Sequence, residues 1–270
     1  LPSKVVVDEE GNTSVTTPAG NQVTIGDDTY TVGDYETTFE LNDKGDAVVS
    51  EGNVILGKGQ SVTDANGNVY TNNGDKPINI TLSESNPAQV EIPEGGEFTY
   101  SSQTGQEKTF ENPAGSDATF SVDQNGNISL DSELSLPNDK TVNVALNGNS
   151  STIKTPATNT GAVLIDPVEG TVTIEKPNDK VIIDRTEYTA TKENTVLLPE
   201  GDGNVSLESG GVSLNKGGKV NVGDTTIKNT GNDPCEVTVG TKKVTFVEDE
   251  KNVTVTVPTT NVKVPSGGGF

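Results

Sequence analysis

The residues with most chemistry to offer are carboxylates and side-chain amides grouped at glycine turns. Four segments share one shape: Asp8-Glu9-Glu10-Gly11-Asn12, Asn42-Asp43-Lys44-Gly45-Asp46, Asp64-Ala65-Asn66-Gly67-Asn68 and Asp123-Gln124-Asn125-Gly126-Asn127. Each places several side-chain oxygens close together, as half of an EF-hand-type calcium loop does. That loop needs Asp, Asp/Asn, Asp/Asn and Gly, then a bidentate Glu at its twelfth position. Asp64, Asn66 and Asn68, with Asp123, Asn125 and Asn127, are therefore the candidate metal ligands, and Ca2+ is the one cofactor they suggest. The match is incomplete. Gly67 precedes the third ligand position, and the twelfth position is Asp75 in one segment and Leu134 in the other. Turn chemistry alone also accounts for all four segments. Asn-Gly or Lys-Gly at a strand reversal suits a positive φ and a bulged hairpin.

Other catalytic groups are scarce. The 270 residues include no His, Met or Trp and a single Cys, so a Ser-His-Asp triad, a Cys-His pair and a His-ligated zinc site are excluded. The local sequence around Cys235 is acidic and lacks the cation that would activate a thiol, so it reads as a small buried side chain. Arg185, the only Arg, has Asp184 and Glu187 beside it. A lyase would use such a base with calcium-bound carboxylates, and a glycosidase would set two carboxylates about 5 to 9 Å apart. With 40 Asp and Glu some pair always meets that spacing, and Tyr30, Tyr35, Tyr70, Tyr100 and Tyr188 are scattered along the chain. The chain reads as non-catalytic. The alternative is a calcium-dependent carbohydrate-active β-helix enzyme, a polysaccharide lyase or glycosidase.

The formal charge is −22, which disfavours a phosphate backbone or an anionic membrane as partner. No stretch approaches the roughly 18 apolar residues of a membrane helix. A start at Leu1-Pro2-Ser3 without Met reads as a processed piece.

Helical periodicity is nearly absent. Two-residue alternation of Val, Ile and Thr, punctuated by Gly, Asn, Asp and Pro, predicts strands throughout. In the second half, triplets such as Val163-Leu164-Ile165, Val172-Thr173-Ile174 and Val181-Ile182-Ile183 start seven to ten residues apart. This spacing fits tandem β-sandwich domains or a β-solenoid. Aromatic residues are only 4% of the chain, which favours the narrow interior of an elongated β-solenoid or right-handed β-helix. The likeness of Gly218–Asp224 to Pro234–Thr241 suggests coils of about 17 residues, a size that suits a two- or three-sided solenoid. Val23–Val32 reads as a hairpin. Ser83–Ser116 is rich in Pro, Ser, Gly and Glu and suits a boundary. The expected organisation is an N-terminal hairpin region over 1–115, as a cap or a small sandwich. Regular solenoid repeats follow over 116–265, then a Gly-rich tail over 266–270.

The Val-x-Val/Ile-Gly-Asp/Thr units at 23, 220 and 237, with the Asp-x-x-Gly-Asn turns, resemble the β-repeat stalks of bacterial cell-surface adhesins. That resemblance implies a secreted or cell-surface bacterial module, structural or adhesive. It would bind a host or cell-surface glycan or protein. The Leu-Pro-x-Thr-Gly anchor of such proteins is not matched by Leu136-Pro137-Asn138-Asp139-Lys140 or Leu198-Pro199-Glu200-Gly201-Asp202.

Overall fold

The computed structural model describes residues 2–248 and 251–265; the tail expected over 266–270 lies outside them. Strand accounts for 55% of the chain, and among the described residues there is no helix and no sheet closed into a barrel, so the protein is all-β with large sheets. Two units divide it, Leu1–Ser132 and Glu133–Phe270. The division falls at 132/133, not near 115. Ser83–Ser116 lies inside the first unit and is mostly strands and their turns.

The first unit has two layers. One is an eight-stranded sheet. Its strands are β1 (Lys4–Val7), β2 (Thr13–Thr17), β5 (Thr37–Leu41), β6 (Ala47–Val48), β8 (Ser61–Thr63), β9 (Val69–Asn72), β12 (Glu97–Ser101) and β13 (Glu107–Glu111), in that order. The other pairs β3 (Gln22–Ile25), β4 (Asp28–Val32), β7 (Gly52–Leu56), β10 (Ile78–Leu82), β11 (Ala88–Ile92), β14 (Ala118–Val122) and β15 (Ile128–Leu130). The chain thus lays successive hairpins alternately in the two layers.

Alternation decides what each strand buries. In β10, Ile78, Ile80 and Leu82 face inward, and Asn79 and Thr81 face out. The eight-stranded sheet contributes rings: Phe39, Tyr70, Phe98 and Tyr100 are buried. Rings meet across the layers, with Tyr30 5.6 Å from Phe39 and Phe110 4.7 Å from Phe120. The few aromatics are therefore concentrated in this unit, where they fill a two-layer core that their overall scarcity argued against.

The second unit repeats the scheme. One layer pairs β17 (Lys140–Leu146), β18 (Asn149–Thr155), β21 (Lys180–Ile183), β22 (Thr186–Ala190), part of β24 (Asn204–Leu214), β27 (Cys235–Glu248) and β28 (Lys251–Lys263). The other pairs β16 (Leu134–Leu136), β19 (Val163–Asp166), β20 (Thr171–Ile174), β23 (Thr195–Gly201), the start of β24, β25 (Lys219–Val222) and β26 (Thr225–Lys228). β24 changes layer at Gly210, whose φ of +85° turns the strand like the corners of other two-layer folds. Cys235 is fully buried at the head of β27.

The ladders described are antiparallel, apart from the single parallel pairs Val48–Thr63 and Ser206–Asn221. The coils of a right-handed β-helix would pair in parallel.

A longer period underlies both units. Turns with a positive φ at their third residue recur at Gly20, Gly59, Gly95, Asp139, Asn178 and Gly217, at intervals of 39, 36, 44, 39 and 39 residues. Such a position suits Gly, and Asn and Asp tolerate it. After each turn the chain forms one hairpin and crosses over. It then forms a second hairpin in the other layer. The first hairpin closes on its own turn: Gly59 N–H donates to Asn72 O at 2.8 Å, and Gly217 N–H to Asn229 O at 2.8 Å. The segments 218–224 and 234–241 fall on the first and second hairpins of one repeat, so their 17-residue offset is about half of the period.

Buried side chains hold the crossovers. Asn72 donates from Nδ2 to Leu56 O and Lys76 O, both at 2.9 Å, and its Oδ1 accepts from Gly74 N–H. Asn112 makes the same three kinds of bond with Ile92 O, Ser116 O and Ala114 N–H, and Asn229 with Leu214 O, Asp233 O and Gly231 N–H. Thr37 and Thr195 do a related task 16 residues before the backbone they bind. The Thr37 hydroxyl bonds Asn53 N–H and C=O, and that of Thr195 bonds Gly211 N–H and C=O.

Candidate functional site

The four Gly turns singled out in the sequence are hairpin loops of one geometry, joining β1–β2, β5–β6, β8–β9 and β14–β15. In each, the first side chain closes the loop. Asp123 Oδ1 accepts from Asn125 N–H at 2.8 Å and Asn127 N–H at 2.9 Å, and its Oδ2 accepts from Asn127 Nδ2 at 3.0 Å. Gly126 N–H donates to Asp123 O, and Gly126 has a φ of +76°. Asp8 does the same at 8–12, and its carboxyl is held below its usual pKa, mainly by the hydrogen bonds from the Asn12 side chain and backbone. A fifth member, Ser102–Gln106 between β12 and β13, uses a hydroxyl instead: Ser102 Oγ accepts from Gln106 N–H at 3.1 Å. Its Gly105 was the only visible sign of it in the sequence.

The two candidate metal loops stand together. Gln124 Oε1 accepts from Asn66 Nδ2 at 2.9 Å and from Asn68 Nδ2 at 2.8 Å, so it bridges 64–68 to 123–127. Asp64 is buried, and its carboxylate accepts four hydrogen bonds: from Asn66 N–H, Asn68 N–H, Asn68 Nδ2 and the Tyr70 hydroxyl. Tyr70 and Tyr100 pack edge to face at 5.5 Å, and the Tyr100 hydroxyl donates to Gln124 O at 2.7 Å. Burial, then the nearby Asp64 charge, pushes both phenols above their usual pKa. They remain neutral donors at ordinary pH. Asn68 Oδ1 accepts from Gln103 N–H at 3.2 Å, so the Asp64, Asn68 and Asp123 side-chain oxygens face N–H and O–H groups, and the cluster ties two hairpin loops of the first unit together. Gln124, Tyr70 and Tyr100 belong to it, and nothing in their spacing announced them. Among the described residues no three His, Cys, Asp or Glu side chains converge in a way that could hold a metal.

Arg185 lies exposed in the tight turn between β21 and β22. Tyr35 is exposed beside an open groove of about 360 Å³ in the first unit. The groove is lined by Glu51, Thr81, Gln89 and Ser121, of which Thr81, Gln89 and Ser121 are cross-strand neighbours on β10, β11 and β14.

Compared with protein-family models, curated proteins and solved structures, the chain matches none. Among the described residues no helix is long and apolar enough to cross a membrane.

Proposed function

We propose that the chain is a non-catalytic extracellular module of a bacterial surface protein, structural or adhesive, built as an elongated solenoid of stacked hairpin pairs. The recurrence of one hairpin-pair cassette at 20, 59, 95, 139, 178 and 217 carries this reading. Its buried Thr side chains bind the cassette's own backbone, its buried Asn side chains also bind the strand end before the turn, and its loop carboxylates close their own loops, so the polar groups serve the scaffold. Charge supports exposure to solvent: the first unit has five Lys against 22 Asp and Glu, a net −17, and the second 13 Lys and Arg against 18, a net −5. The partner is a host or cell-surface glycan or protein. The Tyr35 groove is the contact that suits a sugar, since an aromatic ring stands near hydroxyls and an amide.

Solution scattering with and without calcium tests the proposal. A compact protein of this length has a radius of gyration of about 18 Å, and an elongated solenoid exceeds that value. The profile is expected to stay the same in calcium or a chelator, because N–H and O–H groups already close the candidate loops. A radius near the compact value would overturn the reading.

A further inference from the structure

On the outer face of the first unit's second layer, Thr81 on β10, Gln89 on β11 and Ser121 on β14 stand in one row across neighbouring strands. Strands lie about 4.8 Å apart, so the row runs about 10 Å along the groove that Tyr35 also lines. Each member keeps a different hydrogen-bonding capacity. Thr81 Oγ1 accepts from Asn53 Nδ2 at 2.9 Å, which leaves its own proton to donate. The Ser121 hydroxyl donates to the Asp131 carboxylate, which leaves its oxygen to accept. The exposed Gln89 amide has no partner among the described residues and offers both. Tyr35 is 44% exposed, and Glu51 is the one charged residue among the described residues that line the groove.

We propose that this groove, on the reading above that it is the module's sugar contact, binds a neutral glycan and turns away glycans that carry carboxylates. A sugar hydroxyl both donates and accepts, so a row that donates, does both and accepts in turn matches successive hydroxyls along one side of an uncharged oligosaccharide. The apolar face of a pyranose ring packs on Tyr35. The Glu51 carboxylate accepts only, so it takes O–H groups. A uronate or sialate would set like charge against Glu51 and Asp131, and no Lys or Arg among the described lining residues offsets it. An extended peptide fits less well. β10, β11 and β14 are each paired on both sides, so this face offers side chains and no backbone ladder for strand addition.

Isothermal titration of the whole chain tests the assignment, with hexamers of β-1,4-linked glucose, mannose, galactose and N-acetylglucosamine, each to about 5 mM. At least one is expected to bind, and hexagalacturonate is expected not to. Tyr35→Ala is expected to weaken the binding about tenfold, and Gln89→Ala about fivefold. Glu51→Gln is expected to bring hexagalacturonate binding into the measurable range. All three side chains are exposed, so thermal midpoints are expected to stay unchanged. No binding of any neutral hexamer, binding indifferent to both Tyr35→Ala and Gln89→Ala, or equal binding of hexagalacturonate by the unaltered protein would overturn the proposal. A Glu51→Gln variant that still turns hexagalacturonate away would overturn the role of Glu51. Chromatography of the recovered hexamers and scattering from the same samples keep the two readings apart. Shortened hexamers would overturn the non-catalytic module and leave the bound class standing, and an elongated protein that binds no neutral hexamer would do the reverse.

Discussion

Asn72→Ala removes three hydrogen bonds at a fully buried crossover. It leaves Leu56 O, Lys76 O and Gly74 N–H without their partner. A buried polar group that loses its partner costs about 1–3 kcal/mol. Lys76 is exposed, so water can reach that side of the loop and replace part of the loss. The expected destabilisation is about 3–5 kcal/mol, against a typical total of about 5–15 kcal/mol for a domain. Urea unfolding followed by circular dichroism reads it directly. Asn229→Ala is expected to cost the same within about 1 kcal/mol, because the three bonds there have the same partners in kind. Asn73→Ala, at the neighbouring exposed position, removes only an exposed hydrogen bond to the Thr99 hydroxyl and is expected to cost under about 1 kcal/mol. Asn72→Asp is harsher at neutral pH, since a carboxylate would face two carbonyl oxygens. Burial raises its folded pKa above the unfolded value of about 3.9. The added penalty is therefore absent below that pH and grows as pH rises through it. A loss below about 1 kcal/mol in Asn72→Ala, or Asn72→Asp equally stable at pH 4 and 7, would refute the account of the crossovers.

At the recurring turn only the sign of φ is demanded. Gly59→Asn is expected to cost under about 1 kcal/mol, because Asn178 occupies the equivalent position, and Gly59→Val about 2 kcal/mol or more; thermal melts distinguish them. Gly126→Ala would set its Cβ 2.7 Å from the Tyr100 ring at a φ of +76° and is expected to lower stability by about 2–3 kcal/mol, measured by urea titration. Burial pushes the Tyr188 phenol up to about 12, so its contribution is intact below pH 10 and is lost as pH rises from 10 towards 12. Alkaline unfolding should fall in that window, and Tyr188→Phe should move it to higher pH.

The hairpins with Asp-x-x-Gly-Asn loops were readable because an Asx side chain followed by Gly at a fixed offset leaves few other conformations. The same logic missed Ser102, where a hydroxyl does the work of the carboxylate. The 39-residue period was hidden for a different reason. Its turns read Pro18-Ala19-Gly20, Pro137-Asn138-Asp139 and Lys176-Pro177-Asn178, which share a backbone angle more than letters. Apolar triplets every seven to ten residues report single strands, and whether neighbours pair in parallel or antiparallel is settled by connections that periodicity does not carry. The adjacency of 64–68 and 123–127 is tertiary: those loops belong to different layers, and Gln124 meets Asn66 only once both hairpins are laid down.

The first hairpins after Gly20, Gly59, Asn178 and Gly217 are tied back to their own turns, and pairs such as β9–β12 and β11–β14 join each cassette to the next, so tension along the chain would act on locks braced by their neighbours. Each cassette released would free about 39 residues, roughly 130 Å of extended backbone. The steps would vary with the spacing, from 36 to 44 residues, and work would be dissipated at each of them.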